Sequence, residues 1–233
     1  MKNNFLKRLF FGVFITVNAV LLYLFLLQLP YGMDTFAFSL RRWSDISPRI
    51  QIVAAISCSV ALITVLLMKY LDSEWKSRLV YFRRQFAHPG HRAFFGGKDP
   101  GFDRKPLYAA HPEVRDSAYN PQVQIEVWMR LFKRHANAPL VTGTYHSWLF
   151  LRDLYLISLV FLAAFLVAWP LNFGVPVALA LSYVFIYGAQ LLFLMLSARG
   201  TGMRLECNVL AEELGIQPEG NAKTKLKRAK RRR

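Results

Sequence analysis

Five side chains with metal-ligand chemistry, His88, His91, Asp99, Asp103 and His111, are gathered in one stretch of the sequence. Imidazole and carboxylate together suit zinc or a similar divalent ion. Their spacing matches no structural or catalytic zinc pattern, and the stretch is dense in proline and glycine, where such residues cap turns. The expectation is no metal site. Gly96-Gly97-Lys98 lacks the upstream glycine, the Ser/Thr after the lysine and the preceding strand of a phosphate loop. No Gly-x-Ser-x-Gly element is present, and neither Cys58, inside an apolar run, nor Cys207 has the surroundings of a nucleophile. The two cysteines fall on different segments, which argues against a disulfide. The sequence therefore points to a non-enzymatic protein with no cofactor.

One pair of charges stands apart. Arg152 and Asp153 lie at the entry to a long apolar stretch, in Trp148-Leu149-Phe150-Leu151-Arg152-Asp153. Ionisable groups at a membrane edge are costly unless paired or turned to the interface. Neighbouring residues on a helix diverge by about 100°, so the expectation is that each finds its own partner, such as a charge beneath the second span.

The elements that must position these residues are mostly membrane helices. Of the 233 residues, 54% are hydrophobic, yet Lys+Arg number 30 against 14 Asp+Glu. The two coexist because they are segregated. Residues 10–29, 50–68, 154–169 and 173–196 are uncharged runs read as the four spans, and the first, of about 20 residues, is long enough to cross a hydrocarbon core of about 30 Å. The first follows Lys2, Lys7 and Arg8 and has no small-residue cleavage site, so it reads as a retained anchor. The expected fold is an all-α membrane protein of four transmembrane helices: a first hairpin over 1–70, a basic cytoplasmic module over 71–147, a second hairpin over 148–197 (its spans 150–169 and 173–196), and a cytoplasmic helix with a polybasic tail over 198–233.

Orientation follows from lysine and arginine. Residues 71–147 carry twelve of them, the segment after the fourth span ten, and the 170–175 turn none. Both termini are expected inside. Arg41, Arg42 and Arg49, in the short loop between the first two spans, are the dissonant feature.

Within the central segment, Trp75, Leu79, Phe82 and Phe86 fall on one helical face. Asn120-Pro121 reads as an N-cap and first helical residue. The helix that follows places Val123, Val127, Trp128 and Leu131 on one side, Phe132 on the flank, and Glu126, Arg130, Lys133 and Arg134 opposite. Leu205, Val209, Leu210 and Leu214 are spaced as a further short amphipathic helix stopped at Gly215. A segment of this size buries little by itself, so it is expected to lean on the membrane, on a partner or on another copy. In the spans, Asn18 and Gln190 are expected to hydrogen-bond between helices, and the Tyr183, Tyr187, Gln190 stripe to face protein. Ala55 and Ser59 form a small-xxx-small pair on the second span.

The tail holds Lys223, Lys225, Lys227, Arg228, Lys230, Arg231, Arg232 and Arg233, half of the net +16. It suits anionic lipid head groups, at about 1 kcal/mol per basic side chain near a surface. Nucleic acid, through phosphate contacts, is the lesser expectation.

Four short stretches carry a resemblance: Arg92-Ala93-Phe94 with Asp99-Pro100 and Asp103, Trp128-x-Arg130, Phe150-Leu151-Arg152-Asp153, and Asn208-Val209-Leu210-Ala211. In these the chain resembles an uncharacterised family of small four-span bacterial inner-membrane proteins. The resemblance implies the bacterial inner membrane and the same four-span plan, and brings no catalytic residues. Arg92, Phe94, Asp99, Asp103, Trp128, Arg130, Arg152 and Asp153 are the candidate contact residues for a partner. Three roles are compatible with all of this: a scaffold or adaptor docking a partner, an oligomeric membrane-perturbing effector of a defence or toxin type, and a channel or transporter subunit. The lack of central membrane charges and of inverted repeats disfavours the last.

Overall fold

The computed structural model describes residues 2–31, 35–82, 89–94, 103 and 105–216. The helices are α1 (Lys2–Leu26), α2 (Thr35–Arg41), α3 (Trp43–Ile46), α4 (Ile50–Tyr70), α5 (Ser73–Tyr81), α6 (Lys105–Ala110), α7 (Pro112–Asp116), α8 (Pro121–His135), α9 (Pro139–Leu171) and α10 (Val177–Glu213). Short 3₁₀ turns occupy Ser47–Arg49 and Pro89–Arg92, and no strand occurs among the described residues. Leu6–Leu26, Trp43–Tyr70, Pro139–Leu171 and Val177–Glu213 are long and apolar enough to cross a membrane. This is an all-α protein with four membrane-spanning helices.

The chain divides into two compact units. Residues 1–76 and 150–196 form the span unit; 77–149 and 197–233 form the loop unit.

In the span unit the core is aromatic. Phe25, Phe161, Phe165, Tyr183 and Tyr187 are fully buried, and Phe25 lies edge-on to Phe165 at 4.6 Å and to Tyr183 at 5.4 Å. The tyrosine stripe thus faces protein. Each hydroxyl is satisfied in the apolar interior by a backbone carbonyl: Tyr183 donates to Leu29 O (2.8 Å) and Tyr187 to Asn18 O (3.1 Å). The outward residues are apolar too, among them Ile52, Leu62, Phe185 and Phe193, each more than half exposed. That pattern suits lipid as the surrounding solvent.

The first span closes with a Schellman turn. Leu29 N donates to Leu24 O (2.9 Å) and Gln28 N to Phe25 O (2.8 Å), with Gln28 in the left-handed region at φ 58°. A non-glycine there is strained, and its side chain is engaged: Gln28 Nε2 donates to Asn172 Oδ1 and Phe173 O, both at 3.3 Å. Asn172 Nδ2 in turn donates to Leu26 O at 3.2 Å, covering a carbonyl that the end of α1 leaves unpaired.

In the loop unit, Asn120 caps α8 by accepting from Gln122 N (2.9 Å), with Pro121 next to it as the sequence predicts. Gly215 stops α10 at φ +65°, with Ile216 N donating to Ala211 O. The apolar spacing of Leu205, Val209 and Leu210 marks no separate helix, because α10 runs unbroken to Glu213. These three residues join Phe94, Leu107, Val114, Val127, Trp128, Leu131, Val141 and Trp148 in one buried cluster. The central segment therefore acquires its core by borrowing a face of α10.

The α5 stripe turns out differently from the sequence reading. Trp75 and Phe82 are exposed, while Lys76, Ser77 and Val80 are buried; Phe86 lies outside the described residues. Lys76 can face inward because polar partners await it, as its contacts below show.

Gly90 is needed where it is. A Cβ on it would stand 2.7 Å from Cγ and Cδ2 of Trp128, a ring 1% exposed with nowhere to move. Gly90→Ala should destabilise the loop unit by about 1–3 kcal/mol. Gly143→Ala, with nothing within 4 Å of its Cβ, should be neutral or stabilising, by up to ~1 kcal/mol. Thermal unfolding of both variants in detergent checks this, and equal midpoints would contradict the packing.

Candidate functional site

Three polar clusters hold side chains capable of chemistry or binding. The first lies in the span unit and contains Arg152 and Asp153. Arg152 is 4% exposed. Its Nη1 donates to the Ser73 hydroxyl at 2.8 Å, while Nε and Nη2 turn back onto Asp153 Oδ1 at 3.3 and 3.2 Å. The expectation that adjacent positions cannot pair is corrected. Divergence at Cβ is overcome by the length and planar fork of the guanidinium. Partners beneath the second span are also present. Asp153 lies 3.9 Å from Lys76 Nζ, and Lys76 Nζ donates to Met68 O at 2.7 Å. The arginine is thus buried and fully occupied, and the cluster clamps the α4–α5 corner to α9. A buried, hydrogen-bonded cation of this kind fixes geometry more than it offers reactivity.

The second cluster crosses the middle of the span unit. Gln190 Nε2 donates to Asn18 Oδ1 (2.9 Å) and to Ser158 Oγ (2.6 Å), and Asn18 Nδ2 donates to Phe14 O (2.9 Å). The hydrogen bonding expected of Asn18 and Gln190 is present, with Ser158 as a third member the sequence reading missed. Serine in an apolar helix carries no distinguishing signal until its neighbour is known.

The third cluster belongs to the loop unit. Arg130 Nη2 meets Glu113 Oε1 at 2.8 Å, Arg134 Nη1 meets Glu213 Oε1 at 2.8 Å, and His135 Nε2 lies 2.6 Å from Glu213 Oε2. His111 stands between the two carboxylates, 3.9 Å from Glu113 and 3.7 Å from Glu213. Arg130 and Arg134 are nevertheless about two-thirds exposed on one face of α8. Among the described residues no group of three or more His, Cys, Asp or Glu side chains is arranged to hold a metal ion. His88 and Asp99 lie outside those residues, as do the side chain of His91 and the Gly96–Lys98 segment.

Glu113 is held below the ordinary carboxylate range, first by its backbone hydrogen bond and then by Arg130. Burial alone would raise Glu213, but His135 and Arg134 outweigh it and hold this carboxyl below its ordinary value of 4.5. A carboxyl depressed on folding stabilises the folded state above its unfolded value, and that contribution is lost as pH falls through the folded value. The loop unit should therefore lose stability progressively below pH 4.5. Glu213→Gln should cost about 1 kcal/mol at neutral pH, since Arg134 is largely solvated. The difference from the unsubstituted protein should close in acid. Unfolding midpoints across pH 3–7 test this, and a constant gap would remove Glu213 as the titrating group.

The candidate contact residues divide between the units: Arg152 and Asp153 belong to the span unit, and Phe94, Asp103, Trp128 and Arg130 to the loop unit. Phe94 and Trp128 are turned into the core, because they lie on the inward side of the turn and helix that carry them. Phe94 N donates to Gln124 Oε1 (3.1 Å), and its carbonyl accepts from Tyr108 (2.6 Å). Asp103 is exposed and its carboxylate accepts from Lys105 N. Arg130 is exposed on α8. Arg92 lies in the Pro89–Arg92 turn, with its side chain outside the described residues; Asp99 and the basic residues from Lys223 to Arg233 are also outside them. Gln124, 2% exposed, was not anticipated. Its amide also donates to Tyr119 O at 2.7 Å, tying two turns to α8. A glutamine on an otherwise apolar helical face was the available signal.

No protein-family model matches the chain, and no curated protein and no solved structure matches it.

Proposed function

We propose that the chain is a non-enzymatic scaffold or adaptor of a bacterial inner membrane, with both termini cytoplasmic, and that its loop unit docks an acidic partner on the solvent side of α8. One observation carries the reading. The loop unit encloses its own core while Arg130 and Arg134, four residues apart on α8, pair with Glu113 and Glu213 and still stand about two-thirds exposed. Pre-set guanidinium groups lose little freedom when they meet carboxylates. Lys133 lies exposed beside them.

The test is affinity purification of the full-length protein from mild detergent at native expression, with mass spectrometry of what co-purifies. The expected result is a stoichiometric partner that is lost in Arg130→Glu combined with Lys133→Glu. Recovery of this chain alone across mild conditions would sink the adaptor reading.

A second reading, an oligomeric membrane effector, is favoured by α4. Ala55 and Ser59 are exposed on it, with Cys58 beside them. Small residues on an outward face let a second helix approach closely. Oxidative cross-linking at Cys58 in intact membranes, together with membrane potential on induction, separates this reading from the first. A dimer with loss of potential supports it; monomer and unchanged potential count against it.

A further inference from the structure

The three arginines between the first two spans remain unexplained by topology, which places basic residues elsewhere. Two of them line a pocket. A polar cavity of about 390 Å³ is bounded by Leu27, Gln28, Arg42, Asp45, Ile46, Arg49 and Phe173. Against it runs an apolar groove of about 630 Å³ between α4 and α9, floored by Val53, Ile56 and Val60 on one side and Val160, Ala164 and Ala168 on the other. Arg49 lines both spaces.

Among the described residues, the charges lining the polar cavity do not balance. Arg42 has Asp45 at 3.6 Å, an exposed and weak pair. Arg49 has no ion pair among the described residues, and α4, which begins at Ile50, has no acidic residue in its first turn. A cationic pocket at the end of a membrane helix, sharing Arg49 with an aliphatic groove along that helix, is the complement of an anionic amphiphile. Alanines at 163, 164 and 168 give the groove its depth. Its volume falls within the usual range for a ligand site, about 300–1,000 Å³.

We propose that this composite site binds one anionic phospholipid, with its phosphate at Arg49 and Arg42 and an acyl chain in the groove between α4 and α9. A water-soluble anion would leave the groove unused; a zwitterionic lipid would bring its own cation up against Arg42 and Arg49. With both termini inside, the site opens to the outer leaflet, away from the polybasic tail. The inference is independent of the docking role of α8.

Native mass spectrometry of the full-length protein, delipidated and then titrated with phosphatidylglycerol or phosphatidylcholine, tests it. One equivalent of phosphatidylglycerol should be retained at least tenfold more strongly than phosphatidylcholine. Arg49→Gln should abolish most of that preference, Ala164→Phe should weaken both lipids by filling the groove, and Arg41→Gln, outside the pocket, should change neither. Unfolding midpoints of the variants close to that of the unsubstituted protein confirm that they fold. Equal retention of the two lipids would overturn the proposal. So would an unchanged preference in Arg49→Gln, which would move the anionic binding to the tail, or full competition by inorganic phosphate, which would make the site one for a free anion.

Discussion

Trp128→Ala should destabilise the loop unit by about 3–5 kcal/mol, the largest effect expected of any single substitution in that unit. The indole is 1% exposed, stacks on Phe132 at 5.3 Å with planes 9° apart, and is the surface on which Gly90 rests. Removing it opens a cavity that three elements cannot close together, since α8, the Pro89–Arg92 turn and α10 are each held by other contacts. Thermal unfolding followed by circular dichroism, with limited proteolysis, is the measurement. The expected result is a loop-unit transition lowered by at least ~10 °C and early cleavage within residues 77–149. Trp75→Ala, at a ring more than half exposed, should leave both readouts nearly unchanged. If the two variants behave alike, Trp128 is not the centre of the core.

Arg152→Ala should cost about 2–3 kcal/mol. The figure lies below that for breaking a fully buried ion pair because Asp153 is 28% exposed and keeps Lys76. What makes the loss large is the group left behind: a carboxylate at the edge of an apolar bundle, and a Ser73 hydroxyl without its donor. Adding Asp153→Asn should therefore restore part of the stability, a sign opposite to that expected of two independent lesions. Arg152→Lys should recover only part, since one ammonium cannot reach Ser73 and Asp153 together as the fork does. Unfolding of the detergent-solubilised protein in increasing dodecyl sulfate reads these three variants and Asp153→Asn alone. Additive losses in the double variant would show that the pair is not coupled.

The membrane spans were legible because an uncharged run of about 20 residues has one economical fate in a bilayer. The ends of α8 and α10 were legible for a local reason: Asn120-Pro121 and Gly215 supply capping chemistry within a few residues of sequence. The extent of α9 and α10 was not. The apolar run stops near Leu154 and Leu196, but hydropathy marks where surroundings change, and the backbone stays helical from Pro139 and on to Glu213. The buried polar residues were the least legible. Gln124, Lys76 and Ser158 declare themselves only through Phe94, Met68 and Gln190, partners separated from them by 30, 8 and 32 residues. The geometry of Arg152 and Asp153 was misjudged because side-chain length, not Cβ direction, decided it.

The Asn18–Gln190 hydrogen bond sets a condition on biogenesis. The ribosome releases α1 long before α10 exists, so Asn18 enters the bilayer with its partner unsynthesised. The amide meanwhile gives one N–H back to Phe14 O of its own helix, which lowers the cost of waiting in hydrocarbon. Its oxygen stays open until Gln190 arrives. A chain stalled before the fourth helix thus carries an exposed polar mark in the lipid, a chemical difference by which membrane quality control can tell the unfinished bundle from the finished one.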